Sequence, residues 1–267
     1  MNASSPMPST IEALPEGGLR WGRRGFIQRT FDHHNIEKAH PEQILEWALN
    51  SIESIAIATS FQSSGLVILH IAKATRPEVP VLFLDTGFHF PETLEFRDRI
   101  ASEWGLNVMS LRGTHGSAKN QAKIYGPSLY KSDPDKCCSI NKVEPLQRAL
   151  GKHDAWVSGL RRDQSPSRAG TQILEPQALP QDGEVLKIHP LAHWTRDDVA
   201  AYVAEHDIPT HPLLEKGFAS IGCWPCTRAI RSEEDERAGR WEGFTKTECG
   251  IHSFGKPHGP METEAEQ

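Results

Sequence analysis

The 267-residue chain has no uninterrupted apolar stretch near the roughly 18 residues that a membrane-spanning helix needs. Its longest apolar runs, such as those at 55–58 and 81–84, are short. It also lacks an excess of basic charge. Lys plus Arg number 29 against 35 Asp plus Glu, a net charge of −6, so there is no electrostatic reason to expect a nucleic-acid or anionic-membrane partner. A paired disulfide framework is missing too. The cysteines number five, and two of them are adjacent at Cys137 and Cys138, which suits thiol chemistry or metal ligation better than secretion. No internal repeat is visible. Arg23 and Arg24 superficially match a twin-arginine export signal, but residues 29–38 are polar where such a signal needs an apolar region. A cytoplasmic protein is expected, and 37% hydrophobic residues suffice for a sizeable core.

Periodicity supplies an architecture. Ile44, Leu45, Ala48 and Leu49 follow helical spacing. A short run at 54–60 reads as a buried strand, followed by a Ser-rich loop and a helix over 66–74. The unit repeats, with a strand at 79–84, a helix over 91–104 opened by Pro91, and a strand at 106–111. Further strands are expected at 155–158 and 185–188, and Thr195 caps a helix running to 206. Such alternation predicts an α/β fold, a parallel twisted sheet with helices on both faces. The expected organisation is a mobile tail at 1–25, a nucleotide-binding domain at 26–210, an irregular segment at 211–253 folding back over the sheet, and a flexible tail at 254–267.

Four groups of residues carry chemistry. Cys137-Cys138 and Cys223-Trp-Pro-Cys226 can surround one metal centre if the fold joins the pairs. Their spacing leaves the metal open. An adjacent pair cannot form the usual zinc knuckle, whereas in a 4Fe-4S cubane each thiolate binds a different iron, so neighbouring residues on a bent backbone can both ligate. Buried free thiols are one alternative. A dithiol redox motif is another, although the strand and helix expected around it are missing. Cys249 stands alone between Lys246 and His252, either of which could stabilise a thiolate. The loop Ser60-Phe-Gln-Ser-Ser-Gly65 precedes a helix and offers N–H groups and hydroxyls to an anion; it lacks the Gly-Gly and Asp of an ATP-pyrophosphate loop, and a plain Ser-rich turn is the alternative. Finally, Arg161, Arg162 and Arg168 follow a strand end where sheets of this class bind ligands, and Arg237 and Arg240 could join the same anion pocket.

Together these residues resemble the sulfonucleotide reductase family, specifically its iron-sulfur, assimilatory adenylylsulfate (APS) reductases. The resemblance rests on 60–65, Leu84-Asp-Thr-Gly87, Lys136-Cys-Cys138 with Lys142-Val-Glu-Pro-Leu146, Ser158-Gly-Leu-Arg-Arg-Asp-Gln-Ser165, Ile221-Gly-Cys-Trp-Pro-Cys-Thr227 and Glu248-Cys-Gly-Ile-His252. It implies a modified pyrophosphate-loop fold, one 4Fe-4S cluster on Cys137, Cys138, Cys223 and Cys226, and no flavin or nicotinamide cofactor. Cys249 would attack the sulfur of adenosine 5′-phosphosulfate, AMP would leave, and thioredoxin or glutaredoxin would release sulfite from the thiosulfonate. Substrate contacts are expected from Ser60, Lys142, Gly159, Arg161, Arg168, Arg237 and Arg240. No thioredoxin-like segment lies outside the match, so the reductant is expected to be a separate protein; a homo-oligomer is compatible with the sequence. The rivals are reduction of the 3′-phosphorylated nucleotide, PAPS, a tRNA-thiolating enzyme with a cluster, and a non-enzymatic metal-binding module.

Overall fold

The computed structural model describes residues 36–180, 183–231 and 233–254. The expected N-terminal tail, the arginine pair at 23 and 24, and all but residue 254 of the expected C-terminal tail lie outside the described residues. Helix α1 (Pro41–Ser51), strand β1 (Ile55–Ala58), helix α2 (Ser63–Thr75), strand β2 (Val81–Leu84), helix α3 (Pro91–Trp104) and strand β3 (Val108–Leu111) follow the expected alternation. Helix α3 has Pro91 in its first turn and ends at Gly105, whose φ of 63° gives the left-handed cap that glycine adopts without steric cost. Helix α2 starts three residues earlier than its apolar pattern predicts. Ser63 and Ser64 therefore lie inside its first turn.

The next stretch is denser than the sequence suggests. Helices α4 (Ala118–Tyr125), α5 (Leu129–Ser132) and α6 (Pro134–Cys138) lead into a π-helical turn at Ser139–Val143 and then α7 (Glu144–Leu150). Pro145 has no N–H to donate, and the amide of Glu144 reaches back five residues to the carbonyl of Ser139. The bend anticipated beside the adjacent cysteines is this widened turn.

Strands β4 (Ala155–Ser158), β5 (Leu174–Leu179) and β6 (Gly183–Ile188) complete a six-stranded sheet of order β3-β2-β1-β4-β6-β5. All neighbours are parallel except β5 and β6. Strand β5 went unrecognised because Pro176 interrupts its pattern; at a sheet edge the missing N–H costs no ladder bond. Side chains alternate across the sheet. Ile55, Ile57, Val81, Phe83, Ala155 and Val157 join the larger core, with α1, α2, α3 and helix α8 (Arg196–Glu205). Ala56, Leu82 and Trp156 point the other way, into a smaller core with Leu146 and Leu150 of α7. Ile251 and Phe254 pack against that second core, bringing the C-terminal segment under the sheet.

Candidate active site

Above the carboxyl ends of β1, β2 and β4 lies a cleft of about 980 Å³, the position at which open α/β sheets bind ligands. Its lining includes Ser60, Lys142, Gly159, Arg161, Arg168, Arg237, Arg240 and Cys249. They come from five separate stretches of sequence, and folding brings them to one cleft. The loop between β1 and α2 is held in an unusual shape. Phe61 is fully buried with a φ of 58°, a left-handed backbone that is costly for a bulky residue. Its amide donates to Thr59 Oγ1 at 3.0 Å, and Gln62 exchanges hydrogen bonds with the backbone of Ile221 at 2.7 and 2.9 Å. The first turn of α2 consequently opens onto the cleft, and its free N–H groups and dipole favour an anion there. Gly159 permits a close approach. A Cβ on it would lie 3.1 Å from Ser64, so a larger residue would have to push the end of β4 and that turn apart by a few tenths of an ångström.

The arginines differ in what they offer. Arg161 is buried and already committed, at 2.6 Å to Ser64 Oγ, 2.8 Å to Asp163 and 3.2 Å to Glu236. It orders the anion loop more than it presents free charge. Arg168 makes a bidentate pair with Glu248 at 2.7 Å on both arms, and Arg237 reaches the same carboxylate at 3.1 Å and the Thr247 carbonyl at 2.9 Å. Burial alone would raise Glu248, but the Arg168 hydrogen bonds together with the charges of Arg168, Arg237 and Arg240 outweigh it and hold the carboxyl below its usual range. Arg240 stacks on Trp241, 4.4 Å from the ring centroid. Arg162, grouped with these arginines on sequence, turns away to Glu37 at 3.0 Å and the Thr171 carbonyl at 2.7 Å.

Cys249 is half-buried beside this group. The flanking residues proposed to assist it do not. Lys246 is paired with Asp135, and burial holds the imidazole of His252 well below 6.5, hence neutral. Lys142 and Arg237 lie near enough to feel the charge of a Cys249 thiolate. Burial works against the charge of Lys142, but thiolates at Cys223, Cys249 and Cys138 would more than compensate, raising its pKa.

A smaller cavity adjoins the cleft, lined by Cys137, Cys138, Cys223 and Cys226 together with Lys142, Asn141, Phe88, Tyr130 and Trp241. Lys142 and Cys223 therefore face both spaces. The π turn explains the first pair. It follows Cys137 and Cys138 directly and places Lys142 on the same side. The second pair is seated by the 86–88 loop, since Trp224 N donates to the Phe88 carbonyl at 2.8 Å and Thr86 Oγ1 lies 3.3 Å from Cys223 Sγ. Gln121 and Asn141 point amide donors at Cys137 Sγ from 3.7 and 3.6 Å. Sequence reasoning missed Gln121, Asn141 and Trp241, because single amides and one tryptophan have no spacing signature. Burial pushes Cys138 up to about 12 and Cys226 up to about 11. Such thiols are poor anions unless a metal replaces their protons. Among the described residues, no three His, Cys, Asp or Glu side chains converge closely enough to hold a single metal ion.

Comparison with known proteins agrees with this geometry. Residues 54–229 match the family described as the phosphoadenosine phosphosulfate reductase domain. An adenosine 5′-phosphosulfate reductase of Streptomyces coelicolor is 43% identical, the match covering 81% of this chain and 90% of the relative. One from Deinococcus radiodurans is 44% identical over 79% and 81%, and a phosphoadenosine 5′-phosphosulfate reductase of Gloeobacter violaceus is 40% identical over 86% and 96%. Among solved structures, a phosphoadenylyl-sulfate reductase of Candida auris is 30% identical and aligns with a TM-score of 0.68, covering 78% of this chain and 100% of that one. An FMN adenylyltransferase of Candida glabrata, 14% identical with a TM-score of 0.53 over 80% and 75%, shares the fold alone. By the extent of both the domain match and these relatives, the chain belongs to the phosphoadenosine phosphosulfate reductase family.

Proposed function

We propose that this chain reduces adenosine 5′-phosphosulfate to sulfite and AMP in sulfate assimilation. The observation that carries the reading is the convergence of one thiol, Cys249, with Lys142, Arg168, Arg237, Arg240 and the α2 N-terminus on a single cleft. The Cys249 thiolate attacks the sulfate sulfur, the S–O bond to the phosphate breaks, and AMP departs with the electron pair. Lys142 and the arginines offset the charge that gathers on the sulfate and phosphate oxygens. A thiol of reduced thioredoxin, or of glutaredoxin, then attacks the cysteine sulfur of the thiosulfonate and expels sulfite. The second thiol of the reductant resolves the mixed disulfide, so two thiols are oxidised for each sulfur reduced. Within the 26–210 unit, residues from Ala58 onward line the nucleotide cleft, and 211–253 complete that lining and deliver the second cysteine pair and the nucleophile. Five free cysteines suit a reducing, cytoplasmic setting.

The cysteine cavity fits a 4Fe-4S cluster. Its four thiols, buried at Cys137 and Cys138 and half-buried at Cys223 and Cys226, line one small space without converging on a single point, and three amide or hydroxyl groups aim at their sulfurs. Cys137, Cys138, Cys223 and Cys226 would hold it, and the bound cluster would brace the π turn against the 223–226 loop.

Two measurements test the reading. Cys249→Ser should abolish sulfite release while leaving iron content unchanged; retained activity would overturn the nucleophile. Assays with each nucleotide separate the 5′-phosphosulfate from its 3′-phosphorylated form, the substrate named for the Gloeobacter relative. Preference for the latter would reject the substrate assignment.

A further inference from the structure

The segment that carries Cys249 is held at two places. One anchor lies in the cleft, where Glu248 pairs with Arg168 and Arg237. An anionic nucleotide in the cleft would compete for those same guanidinium groups and so weaken this anchor. The other lies beneath the sheet: its Trp156 and His252 border the cleft, but Gln177, Lys187 and Phe254 do not. Gln177 on β5 is 3% exposed and Lys187 on β6 is 1% exposed, an uncommon place for a lysine. Gln177 accepts from Trp156 Nε1 at 3.0 Å and donates from Nε2 to the Phe254 carbonyl at 2.9 Å. Lys187 Nζ lies 3.5 Å from the His252 carbonyl and 5.2 Å from the centre of the Trp156 ring, with Glu175 at 3.9 Å. The rings of Trp156 and His252 are parallel, with centroids 6.4 Å apart. Gly250, with a φ of 84°, starts the turn that sends residues 251–254 into this seat, and the Ser253 and Phe254 amides close it on the Gly250 carbonyl.

We propose that Gln177 and Lys187 are positioning residues for Cys249, gripping the backbone just beyond it by contacts that an anion in the cleft does not disturb. The proposal rests on the nucleophilic role of Cys249. The edge hairpin of β5 and β6 thus does more than extend the sheet. Its two inward polar side chains fix where the thiol stands while Glu248 exchanges partners with the substrate. A thiol misplaced by a fraction of an ångström loses attack geometry without losing nucleotide affinity, so the cost falls on kcat.

Gln177→Glu tests this in the iron-loaded full-length protein, because it keeps the acceptor for Trp156 and replaces the donor to the Phe254 carbonyl with an oxygen that repels it. The expected result is a fall in kcat of about tenfold or more with KM little changed, together with faster alkylation of Cys249 by iodoacetamide, read on its own peptide by mass spectrometry. Phe254→Ala loosens the same seat from the other side and should reproduce the alkylation change even if Gln177→Glu folds poorly. Lys187→Arg, which keeps the donor and charge, should retain more kcat than Lys187→Met. Unchanged alkylation and kcat in Gln177→Glu would overturn the proposal and leave the nucleophile assignment standing. A raised KM with normal kcat, or a uniform rise in alkylation of every cysteine, would overturn it as well, since the hairpin would then shape the pocket or merely support the fold. Activity retained in Cys249→Ser would instead remove the reading beneath it.

Discussion

Lys142 stands where the two cavities meet. It comes from the π turn between α6 and α7, lines both the cleft and the cysteine cavity, and interacts with Cys249, Cys223 and Cys138. In the proposed reaction an ammonium in that place would serve the attacking thiol and the departing anion together, since negative charge moves from one to the other as the S–O bond breaks. Arg161 cannot replace it because its guanidinium is already bound to Asp163, Glu236 and Ser64. Lys142→Met should therefore lower kcat/KM for sulfite release by about a hundredfold, the scale at which loss of one buried electrostatic donor is felt. Steady-state kinetics check this, and a loss of less than about fivefold would place the working cation elsewhere. The carboxylates that answer the arginines, Glu248 and Glu236, were not legible in the sequence. Arg168 and Glu248 are separated by 80 positions, and only the return of the C-terminal segment over the sheet joins them.

Elements are tied to the site by buried polar contacts, and one of these has a pH dependence. His211 is fully buried; its Nε2 lies 3.0 Å from Thr93 Oγ1 in the first turn of α3, and its Nδ1 accepts from the Leu213 amide at 3.2 Å. Burial lowers its pKa to about 4, against a small opposing effect of Glu92. The folded state thus binds the imidazole neutral, whereas the unfolded chain takes up a proton near 6.5. Stability from this residue is present above the unfolded pKa and is lost as pH falls toward 4, by about 2 kcal/mol between pH 7 and pH 5. Urea unfolding at the two pH values should show that loss, and His211→Gln should reduce the difference by a similar amount. Helix α3 was readable end to end because Pro91 and Gly105 mark its limits. Strand β5 was not, because Pro176 breaks the pattern while an edge position tolerates it, and so the seat it builds for residues 251–254 went unread. The site was legible as chemistry, in cysteines and arginines, but its geometry depends on the π turn and the edge hairpin, which leave no periodic trace.

At the scale of the whole molecule, the four cysteines that line the smaller cavity come from two segments far apart in the chain. Cys137 and Cys138 precede the π turn, whereas Cys223 and Cys226 lie on a loop seated by the Phe88 carbonyl and Thr86. Without metal, the cavity holds thiols that burial pushes to about 12 at Cys138 and about 11 at Cys226, and hydrogen bonds to sulfur are weak. With a cluster, each thiol gives up its proton and becomes one of four bonds bracing the two segments, so binding energy is also folding energy. Protein purified without air should contain about four irons per chain and absorb broadly in the visible. Removing the iron with chelator and oxidant should lower the melting temperature by several degrees, roughly what the loss of 1 to 2 kcal/mol does in a chain of this size. The same loss should appear in Cys138→Ser and be absent from Cys249→Ser, whose thiol lies outside the cavity. Lys142 gives this comparison its functional meaning, because it borders both spaces: if the brace also fixes that ammonium, the iron-free protein must lose sulfite release more completely than it loses stability. Iron-free protein that melts unchanged and still releases sulfite would show that the four cysteines do neither.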